Sequence, residues 1–159
     1  MRLASRDVAT PFVHDVLAHD GSVWVRESSD SMAPLVRASD RLRLVPLDGA
    51  RIRPGQLLAY RRGAHLVVHR VLTTSRTATV TKGDALPERD APVGRPAILG
   101  RVVAVVGAGE RVHDLTRLRW RIAGRLVAWC SRLAEAVSGS RIAWALARLP
   151  VHVLARLAR

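Results

Sequence analysis

From Val23 to Gly107 the chain is a succession of short β-type runs separated by turn residues, and this texture restricts the fold to a mainly β body. The runs are VWV at 23–25, RLRLVPL at 41–47, QLLAYRR at 56–62, HLVVHRVL at 65–72, TATVTKG at 77–83 and AILGRVVAVVG at 97–107. RLRLVPL alternates with a period of two, as a strand does when one face is buried. Between the runs, RPG at 53–55, RRGAH at 61–65 and TTSR at 73–76 carry the residues that tight turns favour, so each is expected to close a hairpin.

The flanks have a different texture. Residues 1–22 form a short N-terminal segment, with a helix expected around Thr10–Ala18 that ends at the turn signal HDGS. In LTRLRWRIAGRLVAWCSRLAEAV, residues 115–137, a helical period gathers Arg117, Arg121, Arg125, Arg132 and Glu135 into a narrow polar stripe and leaves the remaining perimeter largely apolar. SGS at 138–140 interrupts the pattern. Residues 141–159 then repeat it, with Arg141, Arg148, His152 and Arg159 on one side and Pro150 expected to kink the helix. With 159 residues there is room for one domain and a modest appendage. The expected architecture is a β-rich core over 23–107 and a basic helical hairpin over 108–159.

Charge narrows the partners. There are 26 Lys+Arg against 13 Asp+Glu, a net charge of +13, so an anionic partner is expected, either nucleic acid or an anionic lipid surface. The 22 residues ahead of the core are too few for a helix-turn-helix, and the basic tail is laid out as helix stripes with Trp120, Trp129 and Trp144, which suits the lipid–water boundary better than a nucleic-acid groove. Peripheral association with a membrane, from the cytoplasmic side, is therefore expected, with a soluble cytoplasmic protein as the alternative. No run approaches the ~18 apolar residues of a spanning helix. Charges at Arg2, Arg6, Asp7 and Asp15 leave no apolar core for a signal peptide. Cys130 stands alone and no Cys/His cluster has metal-ligand spacing, so no disulfide, metal or cofactor is implied.

The chemistry concentrates around SSDSMAPLV at 28–36. By itself this is a polar turn, but a serine such as Ser31 becomes a nucleophile when a base can take its proton. Lys82 is the only lysine, which leaves His14, His19, His65, His69, His113 and His152 as the other candidate bases. His69 lies within a β run. Asp84 and Asp90, in TKGDALPERD, are carboxylates able to hold an imidazole in the required tautomer.

Taken in order, SDSMAPLV, PGQLLAYRRGAHLVVHRVL, TKGDALPERD and ILGRVVAVV resemble the catalytic core of the type I signal peptidase superfamily, which also includes the self-cleaving repressor-type serine peptidases. The pairing of His69 with Arg70 is similar to the archaeal and endoplasmic-reticulum branch, where the typical bacterial enzyme has Lys-Arg. The resemblance implies a serine endopeptidase that cleaves a precursor or signal peptide, with Ser31 as nucleophile, His69 as general base and Asp90 as the orienting acid. Asp84 would share or replace that last role. The resemblance also implies an oxyanion site made by the Ser31 backbone N–H with the Ser29 hydroxyl, and a turn fixed by Met32 and Pro34 that lines the substrate cleft. The sequence departs from the pattern at Gln56 and Asp30, where relatives often have Asp and Gly. A non-catalytic peptide- or DNA-binding regulatory protein on a repressor-type fold is the alternative function.

Overall fold

Leu42 and Leu44 of β3 (Arg41–Val45) are fully buried while Arg43 between them is exposed, the alternation expected from RLRLV. In the computed structural model, which describes residues 3–4, 10–107 and 109–136, this strand belongs to one nine-stranded sheet. The other strands are β1 (Leu3–Ala4), β2 (Val23–Arg26), β4 (Leu57–Arg62), β5 (His65–Thr74), β6 (Ala78–Lys82), β7 (Val93–Gly94), β8 (Ile98–Val106) and β9 (Val112–Asp114). Their order is β1-β2-β3-β8-β4-β5-β6-β7, with β9 also on β8. All pairings are antiparallel except β1 with β2. The protein is mainly β, and its sheet extends past residues 23–107 at both ends.

Two of the three expected hairpins form. β4 and β5 are joined by a two-residue turn at Gly63 and Ala64, where Gly63 has φ 59, and β5 and β6 are joined across residues 75–77. The third, at RPG, does not. The turn is there, but β3 and β4 do not pair, because β8 lies between them and bonds to both. Local turn chemistry marks where the chain reverses, and the long-range return of β8 decides which strands become neighbours.

The main core lies between the sheet and helix α1 (Thr10–Asp20). Val13 and Leu17 of α1 pack with Val25, Leu42, Leu44, Ala59, Val68 and Val105 of the sheet, and with Met32 and Val36 of the loop after β2. Each fully buried side chain of this kind contributes about 1.5–3 kcal/mol, enough to hold the loop that carries Ser31 by its two apolar anchors.

Helix α2 (Leu118–Ala136) occupies most of the 115–137 stretch and docks against the body through small residues. A Cβ on Gly124 would stand 2.5 Å from the Gly55 carbonyl oxygen, and one on Gly55, whose φ is +90, would stand 2.5 Å from Gly124 and Arg125 backbone atoms. The two backbones touch only because neither has a side chain. The second helix of the expected hairpin, 141–159, and its kink at Pro150 lie outside the described residues. No helix among the described residues is long and apolar enough to cross a membrane.

Candidate active site

Ser31 sits in a tight turn after β2 that is held from several directions. The Ala33 amide donates to the Asp30 carbonyl (3.0 Å) and the Val36 amide to the Met32 carbonyl (3.1 Å), while the Asp30 carboxylate accepts the Ala38 amide (2.9 Å). Met32 and Val36, both fully buried, pin the turn to the core, and the Ala33–Pro34 peptide is cis. From behind, the Ala85 amide donates to the Ser31 carbonyl (2.8 Å). At Gly83 a Cβ would lie 2.7 Å from that same carbonyl oxygen, so the loop after β6 reaches Ser31 only because residue 83 is glycine.

His69 lies on β5 with its imidazole facing this turn. Nε2 is 3.2 Å from Ser31 Oγ, and Nδ1 is 2.6 Å from Asp90 Oδ2. Serine, imidazole and carboxylate thus form one line, although they stand 38 and 21 residues apart in sequence. With Asp90 ionised, Nδ1 carries the proton and Nε2 offers its lone pair to the serine.

Asp90 is itself held. Its amide donates to the Thr81 carbonyl (2.8 Å), its Oδ2 accepts the Thr81 hydroxyl (2.8 Å), and its Oδ1 accepts Arg62 Nη2. Burial pushes this carboxyl up, but hydrogen bonds from His69, Arg62 and Thr81 outweigh it and hold the group well below the usual carboxylate range. Tyr60 closes the cluster from β4, its ring edge-on to the imidazole at 6.4 Å and its hydroxyl accepting Arg62 Nη2 (2.8 Å). Burial, the largest influence, raises the phenol to about 12.

Asp84 points elsewhere. Its carboxylate accepts Arg70 Nε (2.8 Å) and Nη2 (2.6 Å) in a two-pronged pair, both side chains being buried. The expectation that Asp84 shares the orienting role with Asp90 is therefore corrected: both of its oxygens are occupied by Arg70. The cause is the pleat. Successive side chains on β5 face opposite sides of the sheet, so His69 meets Asp90 and Arg70 meets Asp84.

The Ser29 hydroxyl expected at the oxyanion site has a competing partner. Ser29 Oγ lies 3.1 Å from Ser31 Oγ, but also 3.0 Å from Glu27 Oε1. That oxygen of Glu27 accepts the Ser28 and Ser29 amides as well, each at 3.0 Å. The Ser31 amide is 3.5 Å from Ser29 Oγ, a weak contact that leaves it able to turn to another acceptor.

A groove of about 230 Å³ opens on Ser31 and His69, lined by Val13, Val25, Leu66 and Val68 and rimmed by Arg26, Arg62 and His65. Neither Met32 nor Pro34 lines it. The expectation that these two face substrate is corrected: Met32 is spent anchoring the turn in the core. Gln56 uses its side-chain oxygen to accept the Arg53 amide (2.8 Å), closing the turn before β4.

Sequence reasoning missed Glu27, Tyr60, Arg62 and Thr81. Tyr60 and Arg62 alternate along β4, a period-two signal that would have placed them on one face. Glu27 and Thr81 have no local signature, because their roles exist only once distant segments meet. No protein-family model matches this chain, and no curated protein matches it.

Proposed function

We propose that this protein is a serine endopeptidase of the signal peptidase type, acting on a precursor peptide through Ser31, His69 and Asp90. The observation that carries this reading is the line from Ser31 Oγ to His69 Nε2 (3.2 Å) and from Nδ1 to Asp90 (2.6 Å). As Ser31 Oγ attacks the scissile carbonyl, His69 Nε2 takes its proton, and Asp90 stabilises the imidazolium that forms. The Ser31 N–H receives the developing oxyanion. His69 then gives its proton to the leaving amine, and water, activated by the same imidazole, hydrolyses the acyl-enzyme.

Substrate binding by strand addition has support in the sheet. Residues 65–69 of β5 pair with β4 on one side, while β6 joins the other side only from Arg70 onward. This leaves an open edge beside the groove, on which an extended peptide can complete a ladder. The small apolar side chains Val13, Val25 and Val68 fit a substrate with small residues before the cut.

We place the protein at an anionic membrane surface through α2, as a peripheral contact. Leu118, Ile122, Leu126, Trp129 and Leu133 are all exposed and fall on one stripe of that helix, with Arg119 on one side and Arg121, Arg125 and Arg132 on the other.

Cleavage of a quenched peptide library with small residues ahead of the scissile bond tests the catalytic assignment. Ser31→Ala and His69→Ala are each expected to lower turnover by at least about 10³-fold, Ser31→Ala with unchanged thermal melting. Equal turnover by Ser31→Ala would overturn it, and wild-type binding of the peptides with no turnover would leave a peptide-binding module.

A further inference from the structure

The groove at Ser31 is not the largest cavity in the molecule. A second one, of about 440 Å³, lies between the loop before β4, strand β8 and helix α2. Neither Ser31 nor His69 lines it. Arg70 does, on the face of β5 opposite the imidazole. Its size is within the ~300–1,000 Å³ range of small-molecule sites.

Its walls are chemically one-sided. Arg51, Arg53, Arg101, Arg121 and Arg125 line it together with Arg70, and no carboxylate does. Of these six, only Arg70 is in an ion pair among the described residues. Two residues of the wall carry donors that are shut off from solvent and have no acceptor among the described residues: Nε of Arg101 and Nε1 of Trp120. Buried donors are almost always satisfied, because an orphan loses its water and gains nothing in return. Both of these donors belong to residues of the cavity wall, beside cations with no counter-charge among the described residues. Leu57, Val102 and Val127 give it an apolar wall, beside Gln56 and Thr116.

We propose that this cavity binds a phosphate ester bearing an apolar group. The phosphate oxygens meet the guanidinium forks of Arg51, Arg53, Arg121 and Arg125, and the wall yields so that they also accept from Arg101 Nε and Trp120 Nε1, which are covered in this structure, while the apolar group lies on the aliphatic wall. Phosphate fits better than carboxylate because it offers more oxygens to a ring of several guanidiniums. α2 supplies Trp120, Arg121 and Arg125, so an occupied cavity also clamps the helix to the sheet.

Calorimetric titration of the full chain with monomeric dihexanoyl phosphatidic acid, inorganic phosphate and phosphatidylglycerol vesicles tests the site. Dihexanoyl phosphatidic acid should bind at least about tenfold more tightly than inorganic phosphate. Arg101→Leu should weaken it by about tenfold or more, the loss of one charge-assisted contact, and Trp120→Phe, which keeps the ring, by several-fold. Both ligand-free variants should melt no lower than wild type, since each removes an unsatisfied donor. Vesicle binding with the same dependence on Arg101 identifies a bilayer headgroup as the source, and dependence confined to the monomer identifies a free ester; both uphold the site. Unchanged affinity in both variants, or a dihexanoyl ester that binds no better than inorganic phosphate, would overturn it.

Discussion

Ser29 has one hydroxyl proton and two oxygens within reach, and the stronger acceptor is not the one that the oxyanion role needs. Glu27 Oε1 at 3.0 Å is a carboxylate, whereas Ser31 Oγ at 3.1 Å is a hydroxyl. Turning Ser29 toward an oxyanion breaks a bond worth about 1.5–3 kcal/mol to make one worth about 3 kcal/mol. The net gain is small, so Ser29→Ala should lower kcat by about tenfold, well short of the ~10²–10³ usual for an oxyanion donor. A loss of the full size, measured with any cleaved peptide, would mean that Glu27 releases the hydroxyl when substrate binds. The two aspartates should separate in the same way. Asp90→Asn puts the wrong tautomer on His69 and should cost about 10⁴ in kcat, and it should also lower the melting temperature, because the depressed carboxyl stabilises the fold. Asp84→Asn leaves Arg70 buried and unpaired, costs about 3–5 kcal/mol of stability, and should keep kcat within about tenfold at low temperature. TKGDALPERD announces both carboxylates but not which of them turns to the imidazole. That depends on the opposite faces of His69 and Arg70, and the pleat of β5 could have been used to foresee it.

Among the elements, the strands with strong apolar runs were legible, and those defined only by their partners were not. β3, β4, β5, β6 and β8 lie where alternation and β-branched residues place them, whereas β1 and β7 are two residues each and exist because a neighbouring edge accepts them. α2 was legible as a helix from its period, but its docking face was not. The stripe of arginines suggested a single polar side, whereas the body is met by Gly124, Ala123, Val127 and Ala128, and Leu118, Ile122, Leu126, Trp129 and Leu133 point outward. Gly124→Ala should therefore separate α2 from the sheet. Its Cβ would stand 2.5 Å from a backbone oxygen that cannot move aside, and despite the better helix propensity of alanine the variant should melt lower and lose amide protection in α2. β4 offers a second check, because Tyr60 is the only tyrosine in the chain. Its phenolate absorbance should appear around pH 12, against about 10 in the unfolded chain, because burial opposes the charge and Asp90 adds to the effect. A midpoint near 10 would mean that the Tyr60, Thr81, Arg62 and Asp90 cluster is open to water.

For the molecule as a whole, the proposed membrane contact rests on the excess of 13 positive charges and the outward stripe of α2. A basic residue close to an anionic bilayer is worth about 1 kcal/mol, so the four arginines beside the stripe supply about 4 kcal/mol, a partitioning advantage on the order of 10³ over a neutral bilayer. That part is screened by salt. The apolar part is not. Insertion of Ile122, Leu126 and Trp129, about half-exposed at 47%, 48% and 57%, returns part of the 1.5–3 kcal/mol that each such side chain gains on full burial. Flotation with phosphatidylglycerol-containing vesicles should thus be strong at low salt, reduced but not abolished at high salt, and weak on neutral phosphatidylcholine. Changing Ile122, Leu126 and Trp129 to glutamate should remove it at every salt concentration without lowering the melting temperature, because none of the three packs in the core. Binding that survives this triple change, or that vanishes completely in salt, would assign the attachment to charge alone and leave the stripe free for a protein partner.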